Sequence, residues 1–479
     1  MLLAGPVALA FFAGGYFDVP RVWTGLGAWA LLAIAALAGA ALVPRARGAR
    51  LALAGLGLLA AWTLASIAWA PLAGSAYHAG QRLVLYAGAL LAATALLRDR
   101  VAMRAVEPAL AAGALIVVGY GLSERMLPGL LHFQHSVSAQ GRLEQPLTYW
   151  NAMGELAALG LVLIARLAGD ASRPAGVRVA ATAAAAPMGM GLYLTFSRGA
   201  LFACAAGLVA LLVAAPAREQ LRSGAAAVAA AALGALAAAP FHSVTSLAGG
   251  HATRERQGAI VLALLAVVVL AAALTQRAVL RRERPGPLRL PRGAPLIALA
   301  VICAGLALAL AVGAKEHSAR PLSPGATRYA TLQSNRYTYW RVAMHAFSDE
   351  PVRGVGAGGW AVYWLRLRPF QEGAQDAHSL PIQTLAELGL VGLALLAAFL
   401  AGIAWAAREA HRVSPALAAG PLAGFVAYVA HAPLDWDWEM PAVTLVALVL
   451  AGALLAQSSS AMRGASRENT HTATTQTAT

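Results

Sequence analysis

Apolar runs of about 20 residues recur along the chain to roughly Gln457, separated by short breaks that carry arginine. A helix of that length crosses a ~30 Å hydrocarbon core, so the pattern predicts an all-α, polytopic membrane protein. The runs place helices near residues 2–17, 24–43, 51–70, 79–97, 104–122, 149–166, 178–195, 200–216, 223–240, 257–276, 294–313, 382–407, 415–432 and 441–457. That is fourteen; the eighth and ninth are Ala-rich, and Ala barely favours insertion, so the expected count is 12–14. One interruption is longer than the others. Residues 314–380 separate an N-terminal block, 1–313, from a C-terminal block, 381–457, and a Ser/Thr/Ala-rich tail, 458–479, reads as disordered on the cytoplasmic side.

Composition agrees: 59% of residues are hydrophobic and 12% charged, about half the charge of a soluble domain. A net charge of +15 would suggest nucleic acid in a soluble chain. Here the basic residues sit at helix ends, as the positive-inside rule requires, and no nucleic-acid partner is expected. With the break holding Arg45, Arg47 and Arg50 placed inside, the inner side collects about three Lys or Arg for each one in the short outer loops. Both termini then lie inside and the long loop outside. Cys204 and Cys303 fall within apolar runs, so neither a disulfide framework nor a Cys-based metal site is expected. The N-terminus lacks a basic leader and reads as a first membrane helix rather than a cleaved signal. No nucleotide or phosphate-loop fingerprint occurs, which argues against an energy-coupled pump, and no cofactor is expected.

The outer side carries the unusual chemistry. Nine of the eleven His fall there, and the long loop holds Tyr329, Tyr337, Tyr339, Trp340, Trp360, Tyr363, Trp364 and Phe370. Loops of this length are usually functional, and this one is expected to fold into short helices on the membrane.

Four motifs can carry chemistry. Gln375-Asp376-Ala377-His378-Ser379-Leu380-Pro381 leads into a helix with Ser379 as N-cap and Pro381 in its first turn. Ser379, Gln383 and Glu387 then form a polar stripe, and ionisable groups in membrane segments default to function; the bland alternative is a polar helix contact beside an interfacial His. In Ser334–Arg341, Arg336, Trp340 and Met344 share a helical face. Arg336 suits a phosphate, whereas an interfacial amphipathic helix explains the same residues without a ligand. Thr195-Phe196-Ser197-Arg198-Gly199 puts an arginine beside a glycine that lets a ligand approach, or simply a snorkelling side chain. Asp435-Trp436-Asp437-Trp438-Glu439 can hold a divalent cation, with His431 nearby. The favoured reading of that stretch is a surface loop held by two belt tryptophans, with no metal.

Taken together these residues resemble a family. An Arg-Gly break, an outer-loop Arg-x-x-x-Trp, a Pro-x-x-Gly-x-Gly turn (Pro351, Gly354, Gly356) and Asp-x-His before Glu387-Leu388-Gly389 look like the O-antigen ligase/polymerase family. The resemblance implies a C-type glycosyltransferase of the inner (cytoplasmic) membrane that moves a glycan from undecaprenyl diphosphate to an acceptor (glycan, lipid or protein) on the extracytoplasmic side. Arg198, Arg336 and His378 fall on the family's functional positions. The family often has Asn after that His, where this chain has Ser379, and about twelve helices.

The chemistry fits the resemblance. Arg198 and Arg336, with Arg341 as a weaker candidate, would stabilise the diphosphate as its charge grows. His378 would act as the base on the acceptor hydroxyl, oriented by Asp376 or Glu387, inverting the anomeric centre without a metal. The Trp and Tyr side chains of the loop would stack on sugar rings. A polymerase of lipid-linked repeat units uses the same chemistry. A transporter or flippase of lipid-linked sugars is the alternative from a different class, and a non-catalytic scaffold is a third.

Overall fold

The computed structural model describes residues 2–284, 286–315, 325, 329 and 334–476. Among these, seventeen α-helices follow one another: α1 (Gly5–Ala10), α2 (Asp18–Leu37), α3 (Arg47–Ala65), α4 (Ala73–Leu96), α5 (Arg100–Met126), α6 (Trp150–Gly169), α7 (Ala175–Leu194), α8 (Arg198–Ala214), α9 (Arg218–Ala238), α10 (His242–Ser246), α11 (His251–Arg281), α12 (Ala294–Lys315), α13 (Arg336–Asp349), α14 (Trp360–Leu367), α15 (Leu380–Val413), α16 (Pro415–His431) and α17 (Pro441–Gln476). Ten are long and apolar enough to cross a membrane, and three apolar helices are shorter, Arg198–Ala214, Ala294–Leu308 and Pro415–His431. The protein is a multi-pass, all-helical membrane protein.

Helices α6 and α17 form the centre, each buried over a full membrane-length stretch. Between membrane helices the hydrophobic effect gives little attraction, so contact comes from small residues that let backbones approach. The Ala- and Gly-rich sequence serves this purpose. A Cβ on Gly189 of α7 would stand 2.2 Å from the Ala231 carbonyl of α9, and one on Gly234 would stand 2.0 Å from the Ala186 carbonyl.

The bundle has two chemically different ends. At one, Arg166 and Arg173 surround Glu107 and Asp170 at 3.1–3.7 Å, and Arg178 pairs with Glu283 at 2.5 Å. The breaks at 38–46, 170–174, 282–293 and 411–414 gather here. The other end is aromatic and acidic and carries α13, α14 and the 432–440 loop.

Three expectations change. The first run, 2–17, is not a membrane-length helix: α1 has two turns, and the chain turns back through Ala13–Gly15. The long loop folds around a small core of its own. Trp360 and Trp364 are fully buried, stacked at 5.6 Å, with Tyr339 edge-on to both. These three side chains are spent on holding α13 against α14 and are not sugar platforms. The described residues beyond 457 continue α17 to Gln476, whereas Tyr329 is the one residue of the loop's first part, 316–333, whose side chain has described contacts.

The third change concerns the helix after His378. It is broken at Gly389 (φ 66°, ψ −163°), a backbone region open essentially to glycine alone. The Pro351–Gly356 turn fills the break. Leu390 and Val391 N–H groups donate to the Pro351 and Val352 carbonyls (2.9 and 3.2 Å), and Val355 and Gly356 N–H groups donate to Ala386 and Glu387 (3.1 and 2.8 Å). Main-chain groups freed by the break are thereby satisfied, as a low-dielectric setting demands. The indole N–H groups of Trp62 and Trp69 cap the Leu388 and Gly354 carbonyls at 3.1 Å.

Candidate active site

His378 stands at the entry of α15, with Pro381 in the first turn. Ser379 occupies the N-cap position, but its buried hydroxyl makes no hydrogen bond. His378 has positive φ, 54°, and its Nδ1 lies 2.8 Å from the Asp376 main-chain oxygen. A carbonyl only accepts, so Nδ1 carries the hydrogen and, in the neutral ring, Nε2 carries the lone pair. Asp376 thus orients the ring through its backbone rather than its carboxylate, which accepts from Gln383 Nε2 at 3.0 Å. Glu387 faces elsewhere: its carboxylate accepts from the Trp360 N–H at 3.4 Å.

The ring is walled by Tyr339 (5.0 Å, tilted) and Trp436 (5.9 Å, edge-on). Burial pushes the His378 imidazole below its ordinary value; Asp435 opposes this and Arg336 reinforces it. The neutral form is therefore favoured.

Arg336 opens α13 and pairs with Asp435 in the 432–440 loop. Asp435 is fully buried and also accepts from the Tyr149 hydroxyl at 2.6 Å, which takes a hydrogen bond from Asn151 Nδ2 at 2.8 Å. Burial pushes the Asp435 carboxyl up, but Arg336 outweighs it and holds it below the usual range. Arg341 is exposed, with its guanidinium 5.2 Å from the Tyr337 ring centre. Five residues from Arg336, it projects from another face of α13.

Arg198 is half-buried at the start of α8, where the Ser197 hydroxyl accepts from the Ala200 N–H at 3.3 Å. The space beside Gly199 is taken by protein. A Cβ there would stand 2.8 Å from His431 Nε2, so the glycine makes room for that ring rather than for a ligand. Tyr329 lies over the same corner, its hydroxyl donating to the Tyr193 carbonyl at 2.9 Å.

The 435–439 stretch is not a surface loop. Asp435, Asp437 and Glu439 are buried, and Trp438 packs edge-on against Tyr86 at 5.1 Å. The three acids fan out to three different cations: Asp435 to Arg336, Asp437 to His431, and Glu439 to Arg82. Among the described residues, no group of His, Cys, Asp and Glu converges as metal ligands. Trp436 is the junction, meeting His378, Tyr149 (4.6 Å) and Tyr16 (5.6 Å).

Sequence reasoning missed Arg21 and Arg82. Both line a polar cavity of about 530 Å³ with Tyr16, Asp376, Glu387 and Glu439. A charge well inside a membrane run is the signal that could have found Arg82.

Residues 241–397 match the family model described as O-antigen ligase. The matched stretch is about a third of the chain. That match takes in Arg336, Arg341, Asp376, His378 and Glu387, together with the Gly389 break, and implies a glycan-transferring enzyme acting on lipid-linked glycans. Arg198 and the 435–439 acids lie outside it. No curated protein matches the chain.

Proposed function

We propose that the protein transfers a glycan from undecaprenyl diphosphate to an acceptor hydroxyl at the outer face of the cytoplasmic membrane. The observation that carries the reading is the His378 mount, which leaves Nε2 as a proton acceptor beside an arginine. The acceptor proton passes to Nε2 as the acceptor oxygen bonds to the sugar C1 from the face opposite the diphosphate. The C1–O bond breaks with its electron pair on the diphosphate, and the anomeric centre inverts. Arg198 and Arg336, with Arg341 at the rim, stabilise the growing charge. Asp435 holds Arg336 in place, and Asp376 holds the His378 ring through its main-chain oxygen. No metal is required.

The test is a reconstituted assay with lipid-linked glycan and acceptor. Release of undecaprenyl diphosphate together with elongated acceptor supports transfer. Translocation of intact lipid-linked glycan without release favours a flippase instead. A deletion strain distinguishes the two transferase forms, because retention of single repeat units on the acceptor indicates polymerisation and loss of all long chains indicates ligation.

A further inference from the structure

Both halves of the site sit on segments outside the membrane-length helices. Arg336 opens α13 in the long loop, and His378 stands just before α15. Their neighbours Asp435 and Trp436 belong to the 432–440 loop. Transfer needs the anion clamp and the base in a fixed relation, since a misplacement of about 1 Å can cost 10²-fold. Both therefore need a rigid reference.

The entry of α6 supplies one. That central helix is buried over a full membrane-length stretch, and Tyr149 is its N-cap residue, itself buried. A tyrosine hydroxyl has a single hydrogen to donate. Asn151 Nδ2 donates into the Tyr149 oxygen at 2.8 Å, so the hydroxyl hydrogen goes to Asp435 Oδ1 at 2.6 Å. The other oxygen of that carboxylate holds Arg336. Oδ1 also accepts from the Trp436 N–H at 2.9 Å, but this donor lies in the same loop and moves with it.

The phenol ring makes the second connection. It packs against the Trp436 indole at 4.6 Å, and that indole meets the His378 ring at 5.9 Å. The indole N–H has no hydrogen-bond partner among the described residues, so packing sets the angle of this wall.

We propose that Tyr149 is a positioning residue for both halves of the reaction. Its hydroxyl sets Arg336 through Asp435, and its ring sets the wall of His378 through Trp436. The inference rests on the transfer reading above for the roles of Arg336 and His378. It gives one side chain two separable tasks, one polar and one steric.

The experiment compares Tyr149→Phe and Tyr149→Leu in the purified full chain. Binding of undecaprenyl diphosphate is measured beside transfer rate against the concentration of lipid-linked glycan. Tyr149→Phe keeps the ring, so undecaprenyl diphosphate should bind about threefold to tenfold more weakly, the scale of one hydrogen bond. Tyr149→Leu should bind it as weakly as the Phe variant. At saturating donor it should also turn over at least about tenfold more slowly than the Phe variant, because the wall beside the base is loosened. In an Asp435→Ala background Tyr149→Phe should add less than about twofold, since the hydroxyl acts through that carboxylate. A purely structural role would lower the thermal midpoint and leave the affinity of the folded protein unchanged. Tyr149→Phe, nearly isosteric, keeps the proposal testable if the Leu variant does not fold. Parent-like affinity in Tyr149→Phe, equal turnover in the two variants, or full additivity with Asp435→Ala overturns the proposal. If affinities move as expected but the parent releases no undecaprenyl diphosphate from lipid-linked glycan, the transfer reading fails and the positioning of the anion clamp stands.

Discussion

The Nδ1 of His378 is held 2.8 Å from the main-chain oxygen of Asp376, two residues before it, by a backbone turned to φ 54°. A left-handed conformation costs a non-glycine residue of order 1 kcal/mol and persists only where the surroundings enforce it. Here the enforced turn fixes the ring's tautomer. His378→Ala should cut turnover by about 10²–10⁴-fold while leaving donor affinity nearly unchanged, because a base acts on the proton in flight. Transfer rate against donor concentration, beside direct binding, separates the two. Loss of donor binding in this variant would make His378 a diphosphate ligand.

The rate should also depend on pH with a definite sign. Burial lowers the His378 value, so the basic form fills in as pH rises through a midpoint below the ordinary ~6.5. The acid limb of kcat/KM should therefore lie below that value, with a flat profile through pH 7. Asp435→Asn removes the group that opposes the shift and should move the limb lower still. A limb moving upward in that variant would contradict the assigned neighbours.

Arg336 and Asp435 act as a unit. Arg336→Lys keeps the charge but loses the planar fork, so both donor affinity and turnover should fall. Asp435→Asn leaves the guanidinium without its buried partner, which costs about 3 kcal/mol at the low end of the buried-pair range, since Arg336 retains 23% exposure. A lowered thermal unfolding midpoint is the readout.

The three acids of 435–439 each face their own cation, and transfer should persist in EDTA. Activity lost on chelation and restored by Mg²⁺ or Mn²⁺ would assign that cluster a metal.

Gly373 is exposed, and a side chain there would meet nothing within 4 Å. In a Cys303→Ser background, because Cys303 is itself exposed, Gly373→Cys should react with an impermeant thiol reagent from outside intact cells or spheroplasts. Labelling only after lysis would invert the topology and the mechanism with it.

The membrane helices were legible because a 20-residue apolar run has one outcome in a bilayer. Residues 2–17 misled because Gly14 and Gly15 break a run whose hydropathy alone looks continuous. His378 and Arg336 were readable from spacing and resemblance, but their partners were not. Asp435 is 99 residues from Arg336 and Glu439 more than 350 from Arg82, and local periodicity carries no information across such distances. Trp360 and Trp364 looked like ligand platforms because a loop sequence does not show that it has a core.

Gly389→Ala should be among the most damaging single-methyl changes outside the site. Its Cβ would stand 2.2 Å from the Val352 carbonyl, at a φ of +66°. A cost of at least 1–3 kcal/mol follows, visible as protease sensitivity between Pro351 and His378 and as reduced transfer with the transmembrane bundle still folded. Unchanged proteolysis and activity would mean that the break tolerates rearrangement.

The Gly389 break also bears on how such proteins can be recombined. The Pro351–Gly356 turn donates and accepts main-chain hydrogen bonds on both sides of the break, so loop and helix form one structural piece. A chimera that grafts residues 334–380 from a relative while keeping the host's 381–395 splits that piece, and its main-chain hydrogen bonds have to re-form between unmatched halves. A graft that carries both across together keeps the interlock whole, which makes 334–395 the natural unit to move between relatives.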